Sequence, residues 1–310
     1  MARTWKRGGG SRTTNGIDSM KAQLTFLGTG TSQGVPIIGC TCAVCRSRDE
    51  RDKRFRSSAL VRYGGMTILV DAGPDFRSQM LRAGVGHLDA ILLTHNHKDH
   101  TGGLDDVRSL NYIDRKAVEI YCEAPVLDTL RREYAYAFER VKYPGAPEWN
   151  VHLIDEKPFT VRSNEGYVLE WVHDVGYRYV PVEGPVPESK SVEIIPIRGW
   201  HGTMPVLGFR FGNIAYITDM SRLEDDQLDK LKGLDHVTLN TVSYHPHHSH
   251  FSLDEALALA GRIGARHTWL THLSHTFPVY AQFCDELATR CAQLGLGSTV
   301  LPAYDGLVIA

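Results

Sequence analysis

Residues 92–106 read L-L-T-H-N-H-K-D-H-T-G-G-L-D-D and place His95, His97, Asp99 and His100 within six consecutive positions. Imidazole nitrogen and carboxylate oxygen are donors that borderline divalent ions accept, and this spacing lets one short loop deliver several of them together. His95 and His97 are two apart, so they leave an extended segment on the same side. Asp99 and His100 follow a turn that Gly102 and Gly103 ease, so one loop can face two ions. The apolar run 90–93 before it has the character of a buried strand, and in layered α/β folds functional loops sit at the carboxyl ends of such strands.

Four more residues of the same chemistry occupy similar contexts: Asp71 in I-L-V-D-A-G-P, His201 in R-G-W-H-G, Asp219 in A-Y-I-T-D and His272 in W-L-T-H. The last three follow the apolar runs 194–197, 214–218 and 268–270. Taken singly, His201 or His272 reads as an ordinary histidine, and Asp219 as a helix N-cap. Taken in order after the H-x-H-x-D-H loop, they resemble the signature of the metallo-β-lactamase superfamily, over nearly everything after Met20. The resemblance implies an α/β (α+β) fold, a four-layer αβ/βα sandwich with metals at one edge between two sheets. It also implies that His95, His97 and His201 hold one divalent ion, Asp99, His100 and His272 a second, and that Asp219 bridges them. Asp71 would stand behind the ligands, in a structural or catalytic part.

Cys40, Cys42 and Cys45 form C-x-C-x-x-C in a Gly-rich loop, a spacing suited to one tetrahedral zinc that lacks a fourth ligand. The alternative is three reduced thiols. A disulfide is disfavoured, because the local count is odd and no secretory signal places the chain in an oxidising compartment. With L-G-T-G-T-S-Q-G-V-P over 27–36 and L-D-D-V-R over 104–108, this loop is similar to the PhnP-type branch of the superfamily. That branch implies that His275, three residues beyond His272, completes a structural zinc; the other reading is a solvated loop histidine. It also implies a phosphate-handling histidine about twenty residues before the last ligand. His250 fits best, with His245, His247 and His248 as rivals. Ser252 would cap a helix over 253–263 and set His250 just before a helix N-terminus, where anions are favoured.

At 310 residues, 42% hydrophobic and 23% charged, the chain can bury a large core, and one domain over 21–310 accounts for it. A formal net charge of −2 gives no global attraction for polyanions, which argues against long nucleic acid as the substrate. No apolar stretch approaches the roughly 20 residues of a membrane span, so a soluble, cytoplasmic protein is expected. Residues 1–20 read as a basic, disordered leader. Strands are expected at 23–27, 58–63, 66–71, 118–122, 192–197, 206–211, 214–218, 237–241 and 267–270, with Gly64 and Gly65 turning the second into the third. Helices are expected at 74–83, 104–111, 124–138, 224–231, 253–263 and 279–294. The segment 143–190, rich in Pro with interleaved aromatics, reads as an insertion that overhangs the site or as a plain surface excursion with some strands of its own.

The expected cofactors are two divalent ions, zinc, manganese or iron, in the His/Asp site and one structural zinc on thiolate. The expected reaction is hydrolysis of a small cyclic phosphate or nucleotide phosphodiester by a metal-bridging hydroxide, with Asp99, Asp219 and His250 in the catalytic group. His250 would protonate the leaving oxygen or clamp the phosphate. The alternatives are a tRNA 3'-processing nuclease, which would show a basic patch and strong salt dependence, and a protein of pyrroloquinoline quinone biosynthesis similar to PqqB. A non-catalytic binding module would lack ligands, and all seven positions are filled. A homodimer is compatible with the sequence.

Overall fold

The protein is described by a computed structural model covering residues 21–172 and 176–310, so the expected leader over 1–20 lies outside the described residues. The strands are β1 (Gln23–Gly28), β2 (Ser58–Tyr63), β3 (Met66–Val70), β4 (Ala90–Leu92), β5 (Val118–Cys122), β6 (Trp149–Leu153), β7 (Phe159–Arg162) and β8 (Tyr167–Val172). They continue with β9 (Gly176–Pro181), β10 (Ser191–His201), β11 (Met204–Phe211), β12 (Ile214–Tyr216), β13 (His236–Asn240), β14 (His267–Thr271), β15 (Thr299–Pro302) and β16 (Val308–Ile309). The helices are α1 (Ala43–Arg46), α2 (Phe76–Ala83), α3 (Lys98–Thr101), α4 (Arg108–Asp114), α5 (Ala124–Glu133), α6 (Leu253–Ile263) and α7 (Tyr280–Leu294).

Two seven-stranded sheets result, ordered β16-β1-β2-β3-β4-β5-β6 and β15-β14-β13-β12-β11-β10-β7. Each is antiparallel in one half and parallel in the other: β3 to β6 run parallel, as do β12 to β15. Strand periodicity builds the layers. Ala59 and Val61 of β2, Met66, Ile68 and Val70 of β3, and Ala90 and Leu92 of β4 meet Phe209, Ile214 and Tyr216 of the other sheet. Their alternates Leu60, Leu69 and Ile91 face α2, α4 and α5 with Phe76, Leu110 and Leu127. On the far side, Ala215, Val237 and Leu239 pack under Leu253, Ala256, Leu257 and Ala260 of α6 and Phe283 and Leu287 of α7. Four layers follow, helix, sheet, sheet and helix, as expected.

Helix α6 shows how local sequence sets its ends. Ser252 and Glu255 form a reciprocal capping box, Gly264 closes the helix in the left-handed region, and Leu253, Ala256, Leu257 and Ala260 make one buried stripe. Other boundaries depart from expectation. The helix expected over 124–138 ends at Glu133, because Tyr134 turns out of it and donates from its hydroxyl to the Thr101 carbonyl. The helix expected over 224–231 is a 3₁₀ turn over Asp225–Leu231, where Gln227 is drawn to the sheet by accepting the Arg198 N–H. The strand expected over 192–197 runs on to His201.

Segment 143–190 is not a single excursion. β6 is the edge of the first sheet and β7 the edge of the second. The separate hairpin of β8 and β9 bonds to the Arg115 carbonyl through the Leu169 N–H and to Asn150 through the Tyr179 hydroxyl. Arg115 precedes β5 and Asn150 lies at the start of β6, at the end of the sheet opposite the loop that follows β4. The described part of the hairpin therefore packs away from His95–His100, whereas Glu156, between β6 and β7, shares Arg198 with Glu123 just after β5, at the same end of the sheet as the ligand loop.

Candidate metal centre

Strand ends deliver the site. Asp71 follows β3, the 95–100 loop follows β4, His201 ends β10, Asp219 follows β12 and His272 follows β14. Asp71, Asp219 and His272 have φ of 62°, 57° and 57°, three of the four non-glycine residues with positive φ among those described. Such backbone is costly for a side-chain-bearing residue, and here it recurs where strands turn side chains towards one another. The loops also approach closely. A Cβ on Gly73 would lie 2.0 Å from the Asp99 carbonyl oxygen, so only glycine lets the turn after Asp71 pass under the ligand loop. Ala72 N–H donates to the His100 carbonyl, and Gly103 N–H donates back to that of Ala72, both at 2.8 Å.

Asp219 is central. Donor atoms within 4.8 Å of one another group it with His95 and His100, with His201 and His250, and with Asp99 and His272. Its Oδ2 is 3.2 Å from His100 Nε2 and 3.2 Å from His272 Nδ1, and its Oδ1 is 3.7 Å from His250 Nδ1. His97 stands beside these groups, its ring 4.7 Å from that of His95 and 5.0 Å from that of His201. His95 lies between the two expected groups, its ring 4.2 Å from that of His100 and 5.6 Å from that of His201. His250 falls inside the cluster, 4.6 Å from His201 and 4.8 Å from His272 between ring centroids.

Burial shapes the electrostatics. It pushes His95 well below the ordinary imidazole range, with the neighbouring His100 adding to the shift, and pushes His250 down to about 3. Burial works against ionisation of Asp219, yet His272 and His100 hold it well below the usual carboxylate range. Burial works against protonation of His100, yet the charges of Asp219, Asp71 and Asp99 hold it well above the imidazole range, so a divalent cation binding there would displace a proton.

The donors fit such an ion. His95 Nε2, His100 Nε2 and His250 Nδ1 are buried and find no hydrogen-bond partner, a cost that ligation would remove. Behind them, His100 Nδ1 is bonded to Asp71 and His95 Nδ1 is 2.9 Å from Thr94 Oγ1, while Ser57 Oγ is 3.0 Å from His272 Nδ1, the nitrogen that also faces Asp219. Such contacts orient imidazole ligands. Thr94 and Ser57 were missed by sequence reasoning, because an isolated Thr or Ser carries no spacing signal; Asp71, which Thr94 also bonds, was found.

The second cluster joins distant parts of the chain. His275 Nδ1 lies 3.2, 3.5 and 3.7 Å from Sγ of Cys40, Cys42 and Cys45. Backbone N–H groups of Cys45 and Ile37 donate to Sγ of Cys42 and Cys45, each at 3.4 Å. The first of these bonds leads the causes that lower Cys42 to about 6, while burial raises Cys45 to about 11. Three sulfurs and one imidazole converging in this way suit a tetrahedral zinc.

Comparison with known proteins agrees with this geometry. Residues 66–273 match the profile of the Beta-lactamase superfamily domain. A Porphyromonas gingivalis protein named octanoyltransferase is 36% identical over 284 residues, 91% of this chain, and the chain spans half of that protein's length. A ribonuclease Z of Streptomyces avermitilis is 29% identical over 256 residues, 72% of this chain and 82% of its own. The crystal structure of a diphosphatase from the PhnP family superposes with a TM-score of 0.74 at 33% identity, covering 94% of this chain and 98% of that one. The chain belongs to the metallo-β-lactamase superfamily and to its PhnP-like branch.

Proposed function

We propose that this chain hydrolyses a phosphodiester bond in a small cyclic phosphate or nucleotide at the cluster around Asp219. The observation that carries the reading is that one buried carboxylate shares donor groups with His95, His100, His201, His272 and Asp99, as a centre for two neighbouring divalent ions requires. Ions bound there would activate water near neutral pH and neutralise charge on the non-bridging phosphate oxygens. The chain's own residues set the geometry. Asp219 spaces the ligands, Asp71, Thr94 and Ser57 fix imidazole orientations, and His250 contacts the phosphate beside His201. Cys40, Cys42, Cys45 and His275 hold a zinc that ties the loop after β1 to the segment after β14.

The diphosphatase relative favours one second reading, cleavage of a P–O–P bond at the same centre. Processing of long RNA, the reading that the ribonuclease Z relative suggests, is weakened by the net charge of −2. Among the described residues no helix is long and apolar enough to cross a membrane.

The test is metal content on protein purified without added metal, paired with hydrolysis of bis-p-nitrophenyl phosphate and 2',3'-cyclic AMP. About three ions per chain with turnover is the expected result. One thiolate-bound zinc and no turnover in added zinc or manganese would reject the hydrolytic role.

A further inference from the structure

A pocket of about 260 Å³ opens on the outer face of the first sheet, between α2 and strands β1, β2 and β16. The metal centre lies at the strand ends, and none of its donors lines this pocket. The floor is apolar. Leu27 and Leu60 point outward from β1 and β2 and are buried, and Ala83 ends the facing helix. Three polar side chains join them, Arg62 from β2 and Gln79 and Arg82 from α2, and among the described residues no acidic side chain lines the space.

Gln79 is 1% exposed and only half satisfied. Its Nε2 donates to the Arg56 carbonyl at 2.9 Å, which fixes the amide, because the reversed orientation would set two oxygens together. Oε1 is left buried in the wall of the pocket without a hydrogen-bond partner. A buried acceptor of this kind calls for an O–H or N–H donor. The two guanidinium groups differ. Arg82 is held by Asp305, donating to its carbonyl at 2.9 Å with its carboxylate 3.7 Å away. Among the described residues Arg62 has no carboxylate within ion-pair distance, so one positive charge at this pocket is uncompensated.

We infer that this pocket binds a small amphiphilic carboxylic acid, with the carboxylate on Arg62, the apolar body over Leu27, Leu60 and Ala83, and an O–H or N–H group donating to Gln79. One uncompensated guanidinium matches a monoanion, and a carboxylate accepts from its fork through two parallel bonds. Spacing narrows the ligand further. Gln79 stands three residues before Arg82, about 4.5 Å along the helix, and Leu60 stands two residues before Arg62, about 7 Å along the strand. Anion and donor are therefore about 5 to 7 Å apart, the span of a para-hydroxyphenyl acid. With no metal donor in its lining, the pocket holds such a molecule without turning it over.

The test is isothermal titration of 4-hydroxyphenylacetate into the full chain, with phenylacetate and 4-hydroxyphenylacetamide as probes that lack the donor and the charge in turn. Wild type is expected to bind one 4-hydroxyphenylacetate per chain and each of the other two about tenfold more weakly, the size of one lost hydrogen bond to a charged or buried group. Arg62→Gln should weaken 4-hydroxyphenylacetate about tenfold, to the level of the amide. Ala83→Leu, which fills the pocket and leaves both polar ends in place, should abolish binding. Arg62 is exposed, so its variant carries the test even where the larger side chain at 83 impairs folding. No binding by wild type at millimolar concentration, equal binding of all three probes, or binding that survives Arg62→Gln would each overturn the site, the last by putting the carboxylate at the Asp219 centre instead. None of these readouts needs turnover, so the site and the phosphoesterase reading fail separately.

Discussion

Asp71 accepts a 2.7 Å hydrogen bond from Nδ1 of His100, and neither side chain is exposed at all. The same carboxylate accepts from the backbone N–H and the hydroxyl of Thr94, each at 2.9 Å. With Nδ1 committed as donor, His100 presents Nε2 towards Asp99 and Asp219, 3.3 and 3.2 Å away. An imidazole held in this way is a stronger and better aimed ligand than a free one. Asp71→Asn is the informative change, because asparagine tolerates the positive φ at this position and removes only the charge and the matched acceptor. Metal affinity of the His/Asp centre should fall about 10- to 100-fold, read by competition with a chelator. Unaltered affinity would deprive Asp71 of that role.

Asp219→Asn should have a larger and more selective effect. Asparagine again keeps the backbone conformation but cannot supply a bridging carboxylate, and the six other donors around it lose their common partner. The His/Asp centre should lose its ions while the thiolate cluster keeps its own, so content should fall from about three ions per chain to about one. Phosphodiesterase activity should drop by several orders of magnitude. Plasma emission and turnover on one sample decide it, and retention of both quantities would remove Asp219 from the centre.

What was legible in the sequence follows from how local each signal is. The hairpin of β2 and β3 could be read because Gly64 and Gly65 and the period-two apolar pattern are contiguous, and its register pairs Tyr63 with Met66 across that turn. The residues that gather at Asp219 could be read only together, because their order after the H-x-H-x-D-H loop resembles a family signature; singly, an aspartate or histidine ending an apolar run carries no such sign. Thr94 and Ser57 left no such mark, since their significance lies in partners across the fold. In segment 143–190 the sequence allowed strands without placing them, because edge strands as short as β6 and β7 among prolines carry no sign of the sheets that they complete. The 3₁₀ turn over Asp225–Leu231 depends on one tertiary bond from Arg198 to Gln227, which no periodicity in 224–231 announces.

Removing the thiolate zinc should act at a distance. Leu273, between His272 and His275, donates to the Thr29 carbonyl at 2.9 Å and accepts from Thr31 N–H at 3.3 Å, so the loop after β1 and the segment after β14 are laced together. His275→Ala leaves three sulfurs without their fourth partner. The variant is expected to carry about one ion fewer per chain, to melt at lower temperature and to lose activity in proportion to displacement of His272. An unchanged ion count would show that the cluster is three thiols and a histidine rather than a metal site.

The charge state of His87 gives a test of stability that is independent of the metals. Its Nδ1 lies 2.7 Å from Asp114 at the end of α4, and its Nε2 lies 3.2 Å from Asp89 just before β4, at the far end of that strand from the ligand loop. Both ring nitrogens donate only in the imidazolium form. The bonds to Asp114 and then Asp89 outweigh burial and raise the pKa to about 10. A folded-state pKa above the unfolded value of about 6.5 means that the stabilisation is fully present below pH 6.5 and is lost as the pH rises through about 10. The imidazole is 47% exposed, so solvent screening limits the contribution to about 1 kcal/mol or less. His87→Asn should therefore lower the urea midpoint at pH 6, and the two proteins should converge as the pH approaches 10, with activity unaffected at neutral pH. A difference in midpoint that stays constant across this range would show that His87 acts by packing alone, since only a titrating imidazolium gives the gap a slope.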